Sequence, residues 1–175
     1  EYDPRVRPWY RQARSSGKQG WTGVYLFFTD KKPGIASASP IYDHQNRFKG
    51  AVSVEIELFR ISEFLATKRV GKHGRLFLVN PERKLVAYSE VDRFRKKVTV
   101  DGQTKWVLRQ IHESPDPEVR ASFAALRKRE TAFPPTRQHI FEFESNGRSY
   151  FAMYSPFPAG TGKRWTVGIL IPEDR

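Results

Sequence analysis

The spacing of apolar and polar residues divides the chain into many short strand-like runs and two helical ones. Trp21 to Thr29 (WTGVYLFFT) is aromatic and β-branched, 35–42 (IASASPIY) is small and extended, and 51–58 (AVSVEIEL) alternates, with Val52, Val54, Ile56 and Leu58 on one face. Together they predict a meander. Asp43-His44-Gln45-Asn46 supplies the turn between the last two runs, with Asn46 suited to a left-handed backbone. From Phe59 the interval changes to three and four, and Ile61, Phe64, Leu65 and Lys68 predict a helix to Arg69. Val70-Gly71-Lys72-His73-Gly74 ends it. Residues 75–79 and 84–88 then pair as strands around Asn80-Pro81-Glu82-Arg83, whereas 90–110 shows no legible period. Asp116-Pro117-Glu118 reads as N-cap, first-turn proline and first-turn acid of a helix to about Glu130, with Val119, Phe123 and Leu126 inward. Two prolines at 134 and 135 stop it. Three final strands follow, at 139–144, 149–156 and 165–172.

This order of elements predicts an α+β fold with antiparallel sheets. It also contains an echo. Ser39-Pro40-Ile41 precedes Val52-Ser53-Val54 much as Ser155-Pro156-Phe157 precedes Val167-Gly168-Ile169, the hairpin plan expected of two related modules in tandem. The first module has three strands and lacks the helix and strand material that precedes the second meander, so it reads as truncated at its N-terminus.

Composition narrows the class. In 175 residues, 38% hydrophobic and 14% aromatic content is enough to build a core. The longest apolar stretches, such as Trp165 to Ile171, fall well short of the ~20 residues of a transmembrane helix. The chain opens on Glu1 and its one methionine is Met153, which points to an excised piece of a longer protein. With no cysteine, disulfides, thiol nucleophiles and Cys-based zinc sites are excluded. A net charge of +12 attracts anions, but the basic residues are spread along the whole chain. Counterion release rewards clustered phosphate contacts, so a nucleic-acid groove is disfavoured. A basic nucleic-acid-binding or protein-interaction module remains the alternative reading.

Candidate chemistry concentrates in Tyr2 to Tyr10 (YDPRVRPWY). Two X-Pro steps, Asp3-Pro4 and Arg7-Pro8, bias the preceding residues to extended backbone and predict a stiff loop with no regular helix. Arg5 and Arg7 offer forked donors for a carboxylate, and Trp9 a flat apolar wall. That describes one side of a pocket for a small organic anion, or equally an arginine packed on an indole. Catalytic patterns are wanting. His44, His73, His112 and His139 have no metal-ligand spacing and stand in charged or turn-like surroundings. Gly160-Thr161-Gly162-Lys163 lacks the spacing of a phosphate loop and leads into a strand. Ser37 and Ser39 have no histidine and acid in a recognised pattern.

YDPRVRPWY, a Trp-Thr strand, Ser39-Pro40-Ile41-Tyr42-Asp43, a turn and Gly50-Ala51-Val52-Ser53-Val54-Glu55-Ile56 together resemble the double Cache (dCache) family of extracellular sensor domains. The resemblance implies tandem PAS-like modules: 1–58 as the C-terminal part of a membrane-distal module, 59–70 as a linking helix, and 71–175 as a membrane-proximal module. It implies an extracytoplasmic, non-enzymatic sensor without cofactor, belonging to a bacterial chemoreceptor, histidine kinase or nucleotide cyclase. The parent would be anchored by membrane helices outside this chain, and a homodimer is compatible. Matched residue by residue, the family's ligand pocket falls on Arg7, Trp9, Tyr25 and, with a one-residue offset, Glu55, with Tyr2 beside them. Phe27 stands where an amino-acid-binding member carries an aspartate for the ligand ammonium. The expected ligand is therefore a small carboxylate without an amine, or a quaternary amine held by aromatic faces.

Overall fold

The computed structural model describes residues 2–68, 70–158 and 164–173. The chain forms two compact units, dividing between Leu58 and Phe59. Mixed helix and antiparallel sheet in both agree with the expected α+β class.

In the first unit, a 3-10 turn at Pro4–Val6 leads into helix α1 (Pro8–Ser16), followed by strands β1 (Gly20–Trp21), β2 (Tyr25–Leu26), β3 (Pro33–Tyr42) and β4 (Phe48–Glu57). The expectation of a helix-free loop across Tyr2 to Tyr10 is corrected here. Pro4 and Pro8 each occupy the start of a helical segment, where the missing N–H costs nothing and the fixed φ is already helical. An X-Pro step marks where a helix begins as readily as where none can form. Gly17 ends α1 in the left-handed conformation (φ 66°), its N–H donating to the Ala13 carbonyl.

The single strand expected from Trp21 to Thr29 is two short ones, which bond separately to β3 through Gly20↔Ala38, Trp21↔Ser37, Tyr25↔Gly34 and Leu26↔Pro33. Between them Thr22 lends its side chain to the ladder, its Oγ1 accepting from Ala36 N–H at 3.0 Å while its own N–H donates to Ala36 O at 2.8 Å. β3 and β4 pair along nearly their full length, and the turn between them places Asn46 at φ 59°, as expected. Ala13, Ala36 and Ala38 are buried, and their small side chains allow α1 to approach the sheet. The alternating Val52 and Val54 lie on the opposite, open face, with Val54 66% exposed.

The second unit centres on a five-stranded sheet in the order β6-β5-β11-β10-β9. Its strands are β5 (Arg75–Val79), β6 (Leu85–Tyr88), β9 (His139–Ser145), β10 (Arg148–Pro158) and β11 (Arg164–Pro172). Helix α2 (Leu58–Ala66) follows β4 without an intervening residue. Its buried positions are Leu58, Ser62 and Leu65; of the expected stripe of Ile61, Phe64, Leu65 and Lys68, Leu65 is buried while Phe64 is 57% exposed. Ser62 faces inward because its Oγ accepts the N–H of Tyr88 at 3.1 Å. The illegible 90–110 segment is a separate hairpin, β7 (Arg95–Val100) and β8 (Gln103–Leu108), turning on Asp101 and Gly102 at φ 52° and 74°. That Asp-Gly pair is a two-residue hairpin signal present in the sequence and missed.

Helix α3 (Pro117–Arg129) runs as expected, with Val119, Phe123 and Leu126 buried. Its N-cap differs in chemistry: the Asp116 side chain makes no capping bond and pairs instead with Arg93. Tyr154 hydrogen-bonds Ser122 of α3 at 2.7 Å, and Phe77 packs edge-on between Tyr88 and Tyr154. Gly168 makes room for that ring, since a Cβ there would lie 2.1 Å from Phe77 Cε2. The repeated hairpin plan has a physical counterpart: Ser39 stands opposite Val52, and Ser155 opposite Val167. Gly160 to Lys163 lie outside the described residues.

Candidate functional site

The site assembles where α1 begins beside the sheet of the first unit. Arg7 is the residue before Pro8, and its carbonyl accepts the first helical bond, from Arg11 N–H at 3.1 Å. That position fixes its backbone and aims its guanidinium toward β2. Nη2 donates to the Leu26 carbonyl at 2.6 Å, and the guanidinium carbon lies 5.6 Å from the Tyr25 ring centre and 5.9 Å from that of Phe28. The Tyr25 hydroxyl donates to Glu55 Oε1 at 2.6 Å. Burial, followed by that bond to a carboxylate, pushes the Tyr25 hydroxyl pKa above its usual value. Tyr2 joins through Phe28, with ring centres 5.0 Å apart.

Tyr2, Arg7, Tyr25 and Glu55 thus form one cluster; Trp9 and Phe27 have other duties. Trp9 packs edge-on against Tyr10 at 5.7 Å, and Tyr10 in turn against Phe48 at 5.8 Å. Phe27 is 8% exposed. Its ring covers Gly34, where a Cβ would lie 2.0 Å from Cζ, and its edge supports Tyr25 at 5.4 Å. Arg5, the other candidate fork, is already occupied. Asp3 Oδ1 takes its N–H at 2.9 Å and its Nε at 3.0 Å, and Oδ2 takes Nη2 at 3.1 Å. The Arg5 guanidinium and N–H hold the Asp3 carboxyl below the usual carboxylate range.

Phe28 is the member of the cluster that sequence reasoning missed. A continuous strand would have turned it away from Tyr25 and Phe27, but β2 ends at Leu26 and the alternation lapses. Its exposed ring carries both Arg7 and Lys31, the latter at 4.4 Å.

The electrostatics of the cluster are unbalanced in an informative way. Glu57, two residues beyond Glu55, is bound by Lys32 at 3.1 Å. Among the described residues, Arg7 has no carboxylate partner and Glu55 no cationic one. A cation and an anion flank one tyrosine, each still able to take a ligand group of opposite charge. A hollow of about 350 Å³ lies beside the 3-10 turn, lined by Tyr2, Asp3, Pro4 and Arg5. Among the described residues no group of histidines and acids could hold a metal ion. His139, in spite of its charged surroundings in the sequence, is largely buried and lies 3.6 Å from Glu130.

This architecture is that of a Cache domain, and the chain belongs to the Cache domain family, whose profile matches residues 1–175. Among curated proteins, the methyl-accepting chemotaxis protein PctB of Pseudomonas aeruginosa is 23% identical over the whole chain, which spans 23% of that protein's length. Among solved structures, the ligand-binding domain of the same PctB in complex with L-Arg superposes with a TM-score of 0.60 at 22% identity, covering 99% of this chain and 62% of that one. The Campylobacter jejuni chemoreceptor Tlp3 ligand-binding domain, in complex with 4-methylisoleucine, gives a TM-score of 0.65 at 16% identity, covering 98% of this chain and 54% of that one. At these identities the likeness establishes the fold.

Proposed function

We propose that the chain is the ligand-binding sensor portion of a bacterial transmembrane signalling protein of the chemoreceptor type, and that it recognises a small carboxylate-bearing molecule. Residues 1–58 form the C-terminal part of the membrane-distal module, 59–70 the link and 71–175 the membrane-proximal module, all extracytoplasmic. The chain does no chemistry of its own. Binding shifts an existing equilibrium, and the change passes to the rest of the protein.

One observation carries this reading: Arg7 is fixed at the head of α1, half-buried over Tyr25, with no carboxylate of its own. A ligand carboxylate supplies the missing partner. Tyr2 and Tyr25 flank it, Glu55 takes any positive centre the ligand carries, and Phe27 and Trp9 support the walls. The relatives named above, with amino acids bound in their solved domains, support a small organic ligand of this size.

The test is calorimetric titration of the chain with propionate, lactate and succinate. At least one should bind, and Arg7→Ala should abolish the heat while Arg7→Lys keeps part of it. Undiminished binding in Arg7→Ala would remove Arg7 from the site.

A further inference from the structure

A second hollow lies in the other unit. It occupies about 220 Å³ near the start of α3 and the ends of β5, β10 and β11, far more than the roughly 30 Å³ that one water takes in the liquid. Tyr150, Leu170 and Pro172 give it an apolar wall, and Arg75, Glu118 and Arg148 give it charge. Tyr150 is buried and stacked on Phe143 at 5.3 Å, so that wall is rigid.

Its polar groups are incompletely satisfied. Glu118 Oε2 is buried with no hydrogen-bond partner, and Arg75 Nε is in the same condition. Arg75 spends Nη1 on Glu90 at 3.3 Å and on the His73 carbonyl at 3.4 Å. Among the described residues, Glu118 has no cationic partner, and Arg148, at the exposed start of β10, has no anionic one. An unpaired carboxylate and an unpaired guanidinium lining one hollow leave charges of both signs available to a guest.

The geometry points to a second binding site, one for a small zwitterion, in the unit that does not contain Arg7. A ligand ammonium satisfies Glu118, and a ligand carboxylate meets Arg148 and Arg75. The charges select this class. A simple anion would lie against Glu118, and a simple cation against two guanidiniums; both would bury an unmatched charge. A molecule bearing both groups across a short apolar body matches all three. The proposal stands independently of the first site.

The test uses the whole 175-residue chain carrying Arg7→Ala, which removes the first site's anchor. L-Alanine, propionate and ethylamine are titrated separately, followed by amide NMR shifts. L-Alanine should move the signals of 118, 148–150 and 170–172, and the two half-molecules should move them at least about tenfold more weakly. Glu118→Gln and Arg148→Met should each weaken L-alanine binding by about tenfold or more without altering the thermal melt. The proposal is overturned if L-alanine leaves those signals unmoved, if both substitutions leave its affinity unchanged, or if propionate binds as well as L-alanine. The first of these results would leave Arg7-dependent binding of propionate, lactate or succinate in the unsubstituted chain untouched, so the two sites fail separately.

Discussion

Phe27 stands at a position where the family pattern suggested a ligand group, and the structure makes it a packing residue; Gly34→Ala tests which description governs. The two outer ring carbons and the tip of Phe27 lie 2.6, 2.6 and 2.0 Å from where a Cβ on Gly34 would sit. Ordinary carbon contacts need about 3.5 Å, so the ring must withdraw by roughly 1.5 Å. Gly34 cannot retreat in its place, because β3 is bonded there to Tyr25 on one strand and Glu57 on another. Overpacking of this kind costs about 1–3 kcal/mol. The displaced ring also supports Tyr25, so the Tyr25–Glu55 bond should loosen, and binding of whichever of propionate, lactate and succinate the site takes should weaken with it. Urea unfolding gives the stability and calorimetry the binding. In a Phe27→Leu background the smaller side chain leaves room for the added methyl, and the double-mutant cycle should show a coupling of at least about 1 kcal/mol. A loss below about 0.5 kcal/mol in Gly34→Ala, or strict additivity with Phe27→Leu, would refute the packing account.

Thr22→Val keeps the shape but strands the buried Ala36 N–H, and should cost about 1–3 kcal/mol in urea midpoint experiments; an unchanged midpoint would mean the bond is dispensable. Ser62→Ala does the same to Tyr88 N–H in the second unit, with a similar expected loss, and accelerated amide exchange at Tyr88 is its local signature. Burial raises the hydroxyl pKa of Tyr88 and Tyr154. Below pH ~10 both are protonated whether folded or not, so their contribution is fully present; above it the unfolded chain ionises first and stability falls by up to about 1.4 kcal/mol per pH unit for each. Urea midpoints at pH 9 and 11 should therefore differ, and Tyr154→Phe should flatten the slope; equal slopes would remove that tyrosine from the account.

The elements whose signals are local were legible. Paired strands at 75–79 and 84–88, helix α3 and the three closing strands follow from periodicity and turn chemistry close to the residues concerned. The failures share a different cause. Phe64 and Ser62 exchanged places because the inward face of α2 is set by a backbone N–H on β6, a partner that periodicity cannot see. Arg5 and Arg7 read alike in the sequence, and only the fold shows that Asp3 occupies one while a strand carbonyl engages the other. Phe28 was lost because a broken strand was read as a whole one. Tyr25 and Glu55 were named as site residues from family likeness, and their hydrogen bond joins strands on either side of β3.

Gly168 admits the Phe77 ring against the middle strand of the larger sheet, and this ties the mutational futures of two residues together. A side chain at 168 requires a smaller residue at 77, whereas glycine has nothing left to give up for a larger one, so the order of change is fixed: position 77 must shrink before position 168 can grow.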